Sequence, residues 1–307
     1  MSHPSPATTE QRLAWGEGSL RLAQVVRTQQ AQLQAVVDRL EASGAEDIHQ
    51  GRVAARRLRS ILKTFAPLLD ARWARRYRDD LRDFARALGA ARESDVLGSA
   101  LESAVGDAEA LSPAQLRRLA LALRRARAAS REGLREQMDE PAWRRRVKSL
   151  AARSEQSPQI VRTDASMADV LALVERAWRK PRKRLRRHPE EAAELHELRL
   201  RLKHCRYALE VVADVEAKSA AKLLRRLRRV QDAIGLHRDT VLAAQWVHSQ
   251  ERSLGPRAVQ SLEALLVEHE PRLRRAAARQ CEKLPAAYAA WASSTRRLAR
   301  GRSPADA

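Results

Sequence analysis

One basic stripe is written twice in this chain, half a chain length apart. Residues Ile48 to Lys63 read IHQGRVAARRLRSILK, and residues Leu195 to Glu210 read LHELRLRLKHCRYALE. Superposed without a gap, His49 falls on His196, Arg52 on Arg199, Arg56 on Lys203 and Arg59 on Arg206. Offsets of 0, 3, 7 and 10 put all four on one line of an α-helix, because side chains three or four apart share a face. Apolar residues stand one position earlier: Leu195, Leu198, Leu202, Cys205, Leu209 and Val212 in the second copy. The first copy follows with Ile48, Gly51, Ala55, Leu58, Leu62 and Phe65. One residue turns a helix by roughly 100°, so the cationic line borders the face that must be buried. Charges so placed suit the lining of a cleft better than a solvated surface.

The rest of the chain favours helix too. Ala, Leu, Arg, Glu and Gln dominate, while glycine is scarce and aromatics make up 4%. At 307 residues it is long enough to bury a sizeable core. Lys plus Arg total 59 against 38 Asp plus Glu, a formal net charge of +21. Self-repulsion on that scale works against a compact state, and a polyanionic partner is the simplest reason to retain it. The two cysteines, Cys205 and Cys281, have no CxxC spacing and suggest no disulfide framework. Cys205, on the apolar stripe, reads as a small core residue. The N-terminus has no apolar signal-like run and no segment approaches a membrane span, so a cytoplasmic protein with no membrane partner is expected.

Hydrophobic periodicity and breakers predict helices over about 13–40, 46–69, 72–88, 92–105, 113–137, a shorter one from Pro141, then 166–187, 190–213, 217–233, 237–251 and 256–283. Ser112-Pro113 reads as an N-cap followed by proline at the first helical position. Pro181 and Pro271 are positioned to kink or shorten two helices. A second motif repeats as well: LGAARESDVL, from Leu88, resembles IGLHRDTVL, from Ile234, with Gly89 on Gly235, Arg92 on Arg238 and Glu93 on Asp239. His to Gly spans 40 positions in the first half and 39 in the second. Two motifs in one order at nearly one spacing point to an internal duplication. The expected fold is all-α: two pseudo-twofold-related antiparallel four-helix bundles with a basic central cleft or pore. In segments, that is a disordered N-terminus over 1–10, a first repeat over 11–153, a linker over 154–165, a second repeat over 166–284, and a C-terminal helix and basic tail over 285–307.

These motifs resemble the CHAD domain, the "conserved histidine α-helical domain", and the likeness covers about residues 10–283. The pattern is His49-x-x-Arg52-x-x-x-Arg56-Arg57-x-Arg59 and His196-x-x-Arg199-x-x-x-Lys203-His204-x-Arg206-Tyr207, with Glu93, Asp95 and Asp239 in the second signature. Glu93 stands where the family usually has Asp. The chain looks like a stand-alone member, whereas many relatives are fused to a triphosphate-tunnel catalytic domain. The resemblance implies two four-helix bundles around a basic pore, inorganic polyphosphate as ligand, and location at polyphosphate granules.

The chemistry suits that ligand. Polyphosphate presents closely spaced charge and no base, sugar or ring, so its receptor needs cationic donors and little else. Arg gives bidentate charge-assisted hydrogen bonds and stays charged. The candidate binding residues are His49, Arg52, Arg56, Arg57, Arg59, Lys63, His196, Arg199, Lys203, His204 and Arg206, then Arg226 and Arg229. Clustered Arg should disfavour histidine protonation and a bound phosphate should favour it, so binding would draw protons onto His49 and His196. The alternative is that both are helix-packing histidines. Glu93, Asp95 and Asp239 are expected to orient Arg side chains or cap helices. The first stripe has no acid between Ile48 and Phe65, so i,i+4 pairing cannot neutralise it.

No enzyme activity, cofactor or metal is expected: Leu200 stands where a zinc-protease helix needs its second His, and there is no Walker loop or GxSxG. The rivals are a non-specific DNA-binding protein and, further off, a metal-dependent phosphohydrolase. Against DNA stand the lack of stacking aromatics on the basic faces and of a reading module, although weak non-specific nucleic-acid association is expected. No protein partner is named by the sequence.

Overall fold

The computed structural model describes residues 15–39, 45–106 and 111–299. Segment 1–10 and the tail beyond 299 lie outside them. Among the described residues the regular structure is helical: α1 (Glu17–Val37), α2 (Ala45–Thr64), α3 (Ala71–Ala87), α4 (Gly89–Gly106), α5 (Pro113–Asp139), α6 (Pro141–Glu155), α7 (Met167–Leu185), α8 (Ala192–Val211), α9 (Ala217–Ser249), α10 (Glu251–Leu254), α11 (Pro256–Glu282) and α12 (Leu284–Ala299). The all-α expectation holds.

Local chemistry sets several boundaries. Asp70 accepts from the Trp73 amide at 2.6 Å and starts α3. Ser112 and Gln115 form a reciprocal capping box at α5, with Pro113 at its first turn, as the Ser-Pro pair predicts. Ser166 and Asp169 do the same at α7, and the bonds from Ser166 hold the Asp169 carboxyl below its usual range. Gly255, at φ 84°, turns the chain into Pro256 and α11, a conformation that favours glycine.

One predicted break is absent. The chain turns at Leu88 before Gly89, but α9 runs without interruption through Gly235. The helix tolerates this glycine because its missing side chain is where another residue sits, as described below. Pro181 and Pro271 likewise lie inside α7 and α11 without ending them. Pro181 cannot donate to the carbonyl of Ala177. That oxygen is instead approached by the Cys205 thiol of α8, at 3.4 Å. Burial pushes the thiol's pKa up, so it keeps the proton it donates.

The predicted apolar stripe is the core. Leu195, Leu198, Leu202, Cys205, Leu209 and Val212 are fully buried, as are Ala55, Leu58, Leu62 and Phe65. The main core draws α1, α2, α3 and α6 from the first half of the sequence and α7, α8, the first half of α9 and α12 from the second. A smaller core joins α4, α5, the second half of α9, α10 and α11. Apolar faces from both halves are therefore shared. The expected C-terminal helix is part of this packing: Trp291 is fully buried, and Tyr288 stacks at a tilt on Trp178, 4.7 Å between centroids.

The stretch expected as a linker is fastened to the first half at two places, the start of α1 and the turn between α2 and α3. Thr163 and Ala165 carbonyls accept from the Gly16 and Ser19 amides, and Val161 and Asp70 amides donate to Leu68 and Gln159. This close approach needs small residues at the start of α1: a Cβ on Gly18 would overlap the Ser166 carbonyl. Because that neighbour is backbone and cannot swing aside, Gly18→Ala is expected to cost about 1–3 kcal/mol. The urea midpoint should fall while the slope stays unchanged.

Candidate functional site

The two stripes meet. Helix α2 packs on α8, with α3 flanking α2 and α9 flanking α8. The first arginine of each stripe is fixed in the same way. Arg52 Nη1 donates to the Ala85 carbonyl at 2.7 Å, and Arg199 Nε donates to the Gln231 carbonyl at 3.1 Å. Each acceptor lies four residues before a motif glycine, Gly89 or Gly235. A Cβ on Gly89 would stand 3.2 Å from Arg52 Nη1, and one on Gly235 2.8 Å from Arg199 Nη2. In a helix the residue four positions on flanks a carbonyl. A glycine there uncovers the oxygen and leaves room for a guanidinium. The repeated glycine is thus a seat for the repeated arginine.

Further along, like charges gather at the margin of the core. Burial, then Arg56, Arg199, Arg206 and Arg238, push the Lys203 amine down to about 6. Arg56 belongs to the first stripe and Lys203 to the second, so the two lines converge here. Burial, then Arg56, Arg82 and Arg78, also hold Arg59 below the usual arginine range. Arg199 is lowered by burial against the opposing pull of Asp239, with Arg56 and Arg238 adding to the depression. Among the described residues, Arg56, Arg59, Lys63, Arg78 and Lys203 have no ion-pair partner.

The histidines divide. Arg238 Nη1 donates to the His196 ring, 2.6 Å from Nδ1 and 2.8 Å from Nε2. Such a bond requires a deprotonated ring nitrogen, in accord with a His196 pKa lowered by burial, then Arg238, Arg199 and Lys203. His204 is bonded to Thr64 Oγ1 at 3.1 Å and pushed down to about 4 by burial, Lys63, Arg78 and Arg59. It is a neutral residue packed between α2 and α8. His49 lies half-buried on α2 at the position matching His196. Buried His237, bonded to Glu270 at 2.6 Å, joins α9 to α11.

Other expected residues lie differently. Arg57 turns to Glu210 of α8 at 3.2 Å, and Arg206 reaches the same carboxylate at 3.5 Å. The counter-charge missing from the first stripe thus arrives in part from the second. Arg226 and Arg229 are on α9, but its face toward α8 carries Gln231, Gly235 and Arg238, which leaves them roughly on the opposite side. Asp239 stands near Arg199, and Asp95 lies 3.9 Å from Arg131 of α5. The side chain of Glu93 lies outside the described residues. Sequence reasoning left out Arg238, Arg78 and Arg82. Arg238 was visible in the second repeated motif; the α3 pair had no repeat to mark it.

Among the described residues no group of three or more His, Cys, Asp and Glu is placed to hold a metal ion, and no helix is long and apolar enough to cross a membrane.

Lys203 makes stability depend on pH with a definite sign. Its folded value, about 6, lies below the unfolded value of about 10.4. The unfolded chain therefore binds more protons between these limits, and stability rises with pH across that window. The contribution is at most about 1.4 kcal/mol per pH unit. Urea titrations from pH 6 to 10 should show wild type gaining on Lys203→Met. Parallel curves would show that Lys203 is charged throughout.

The profile of the CHAD domain matches residues 24–248. PptA from Streptomyces chartreusis is similar in structure, with a TM-score of 0.70 and 22% identity over 86% of this chain and 98% of that one. The crystal structure of the CHAD domain from the plant Ricinus communis gives 0.68 and 23%, covering 92% of this chain and 96% of that one. No match was found among curated protein sequences.

Proposed function

The chain belongs to the CHAD-domain family, and from that premise together with the converging stripes we propose that it binds inorganic polyphosphate. The carrying observation is the central group of Arg56, Arg199, Lys203 and Arg238, basic side chains drawn from α2, α8 and α9 and half-withdrawn from water. Such a group opposes its own charging, and that opposition is relieved when an anion enters. A linear chain of phosphates fits it: each unit supplies acceptors for guanidinium forks, and there is no base or sugar for which the site would need a partner. The reciprocal seating of Arg52 and Arg199 supports a duplicated cleft, and the family resemblance supports association with polyphosphate granules.

Two outcomes check the reading. Long-chain polyphosphate should raise the melting temperature, with a stabilisation of about 2.7 kcal/mol at a hundredfold excess over Kd. Replacing Arg56 and Lys203 together by Ala should weaken binding by about 100-fold or more. In competition at fixed ionic strength, duplex DNA at equal phosphate concentration should not displace polyphosphate. Displacement would favour the DNA-binding reading instead.

Proton linkage moves to a different group from the one the sequence suggests. An entering phosphate favours the charged amine, so binding at pH 7 to 8 should take up protons, chiefly on Lys203 and in part on His196. Affinity should decline as pH rises above 7. Calorimetry in buffers of different ionisation heat measures the uptake, and Lys203→Arg should remove most of it.

A further inference from the structure

We propose that Glu210 closes one end of the cleft, so that a linear polyanion leaves it only past Lys63 and Arg78; this rests on the polyphosphate reading above. Along the stripe the two copies agree in sign at four positions and differ at the fifth. His, Arg, Arg or Lys, and Arg are matched, but Lys63 of the first copy aligns with Glu210 in the second.

The structure turns that one reversal into a plug. The two carboxylate oxygens of Glu210 hold different arginines, Oε2 at 3.2 Å from Arg57 Nε and Oε1 at 3.5 Å from Arg206 Nε. Both guanidiniums also lie over Tyr207, at 5.5 and 4.8 Å from the ring centroid. Arg57 and Arg206 are thus committed to one carboxylate and one ring face. Arg57, Tyr207 and Glu210 line a cavity of about 420 Å³, with Arg228 and Gln29 among its other walls. A phosphate chain running from Arg56 and Lys203 past Arg57 would have to displace the ion pairs of Glu210 and lie against its carboxylate in a partly buried setting, where like charges repel.

The opposite end is built from the same offsets with the other sign. Arg57 at offset 8 is matched by His204, and Glu210 at offset 14 by Lys63. His204 is bonded to the Thr64 hydroxyl, so it holds no carboxylate there. Lys63 is exposed, and Arg59 and Arg78 stand close enough to His204 to depress its protonation. Among the described residues none of Lys63, Arg59 and Arg78 is paired with an acid. Arg82 is different, being bridged to Asp79 and Asp83. A chain held at Arg56 and Lys203 therefore meets cations with no acid partner in one direction and, in the other, two arginines already engaged by one carboxylate. The cleft is asymmetric although its framework repeats.

Binding of tripolyphosphate and of a long-chain polyphosphate, measured at fixed ionic strength, tests this. Glu210→Gln should tighten the long chain by about tenfold, with a steeper salt dependence and a smaller gain for tripolyphosphate. Arg78→Ala should weaken the long chain by a similar factor, whereas Arg228→Ala should leave it at the wild-type value. In the Glu210→Gln background, Arg228→Ala should become costly, because the path beyond the plug is open. Unchanged long-chain affinity in Glu210→Gln would overturn the proposal. So would Arg228→Ala losing as much as Arg78→Ala in the wild-type background, a comparison that stands even if Glu210→Gln folds poorly. Failure of wild type to bind either probe would instead remove the polyphosphate reading, and this inference with it.

Discussion

Repulsion among cations at the edge of a hydrophobic core is the constraint from which the rest of this structure can be understood. Arg56, Arg199, Lys203 and Arg238 are neighbours on three helices, and none can retreat fully into water because their stems rise from positions beside buried residues. Isolated, such a group would tend to push α2 and α8 apart. What opposes it is apolar burial on the adjoining face: Leu58 and Leu62 on one helix, Leu198, Leu202 and Cys205 on the other, all fully buried. The charges are tolerated because the packing beside them is extensive.

Within that constraint, backbone carbonyls do part of the work of counter-ions. Arg52 and Arg199 each donate to a helical carbonyl, and each is admitted by a glycine four residues further on. A carbonyl dipole orients a guanidinium without cancelling its charge, as a carboxylate would. The arrangement keeps the arginines both fixed and cationic. Glu210 shows the contrast, since its single carboxylate orients two arginines and cancels half of their combined charge.

Much of this was legible from helical periodicity. The apolar line from Leu195 to Val212 is the buried line, and the cationic line one residue later borders it, because both follow from the pitch of one helix. What escaped the sequence depends on which helices become neighbours. Gly235 reads locally as a breaker, yet α9 passes through it, because the glycine answers to Arg199 on another helix. The first stripe contains no acid, but Glu210 reaches Arg57 across the α2–α8 contact. Arg226 and Arg229 look like part of the basic surface until the face of α9 is known. The shared cores also could not be read from two similar halves, since similarity describes each copy and not how they interlock.

The bond between Cys205 and the carbonyl stranded by Pro181 has a practical side. Both thiols of the protein are buried, one of them on the helix that carries the second stripe and bonded to a carbonyl of α7. Neither reacts while the helices stay together, because a shielded, protonated thiol is a poor nucleophile. The protein therefore carries its own clock of opening. The rate at which an added thiol reagent consumes Cys205 counts how often α7 parts from α8, with no foreign label. Any anion that quiets the repulsion among these cations will be seen to slow it.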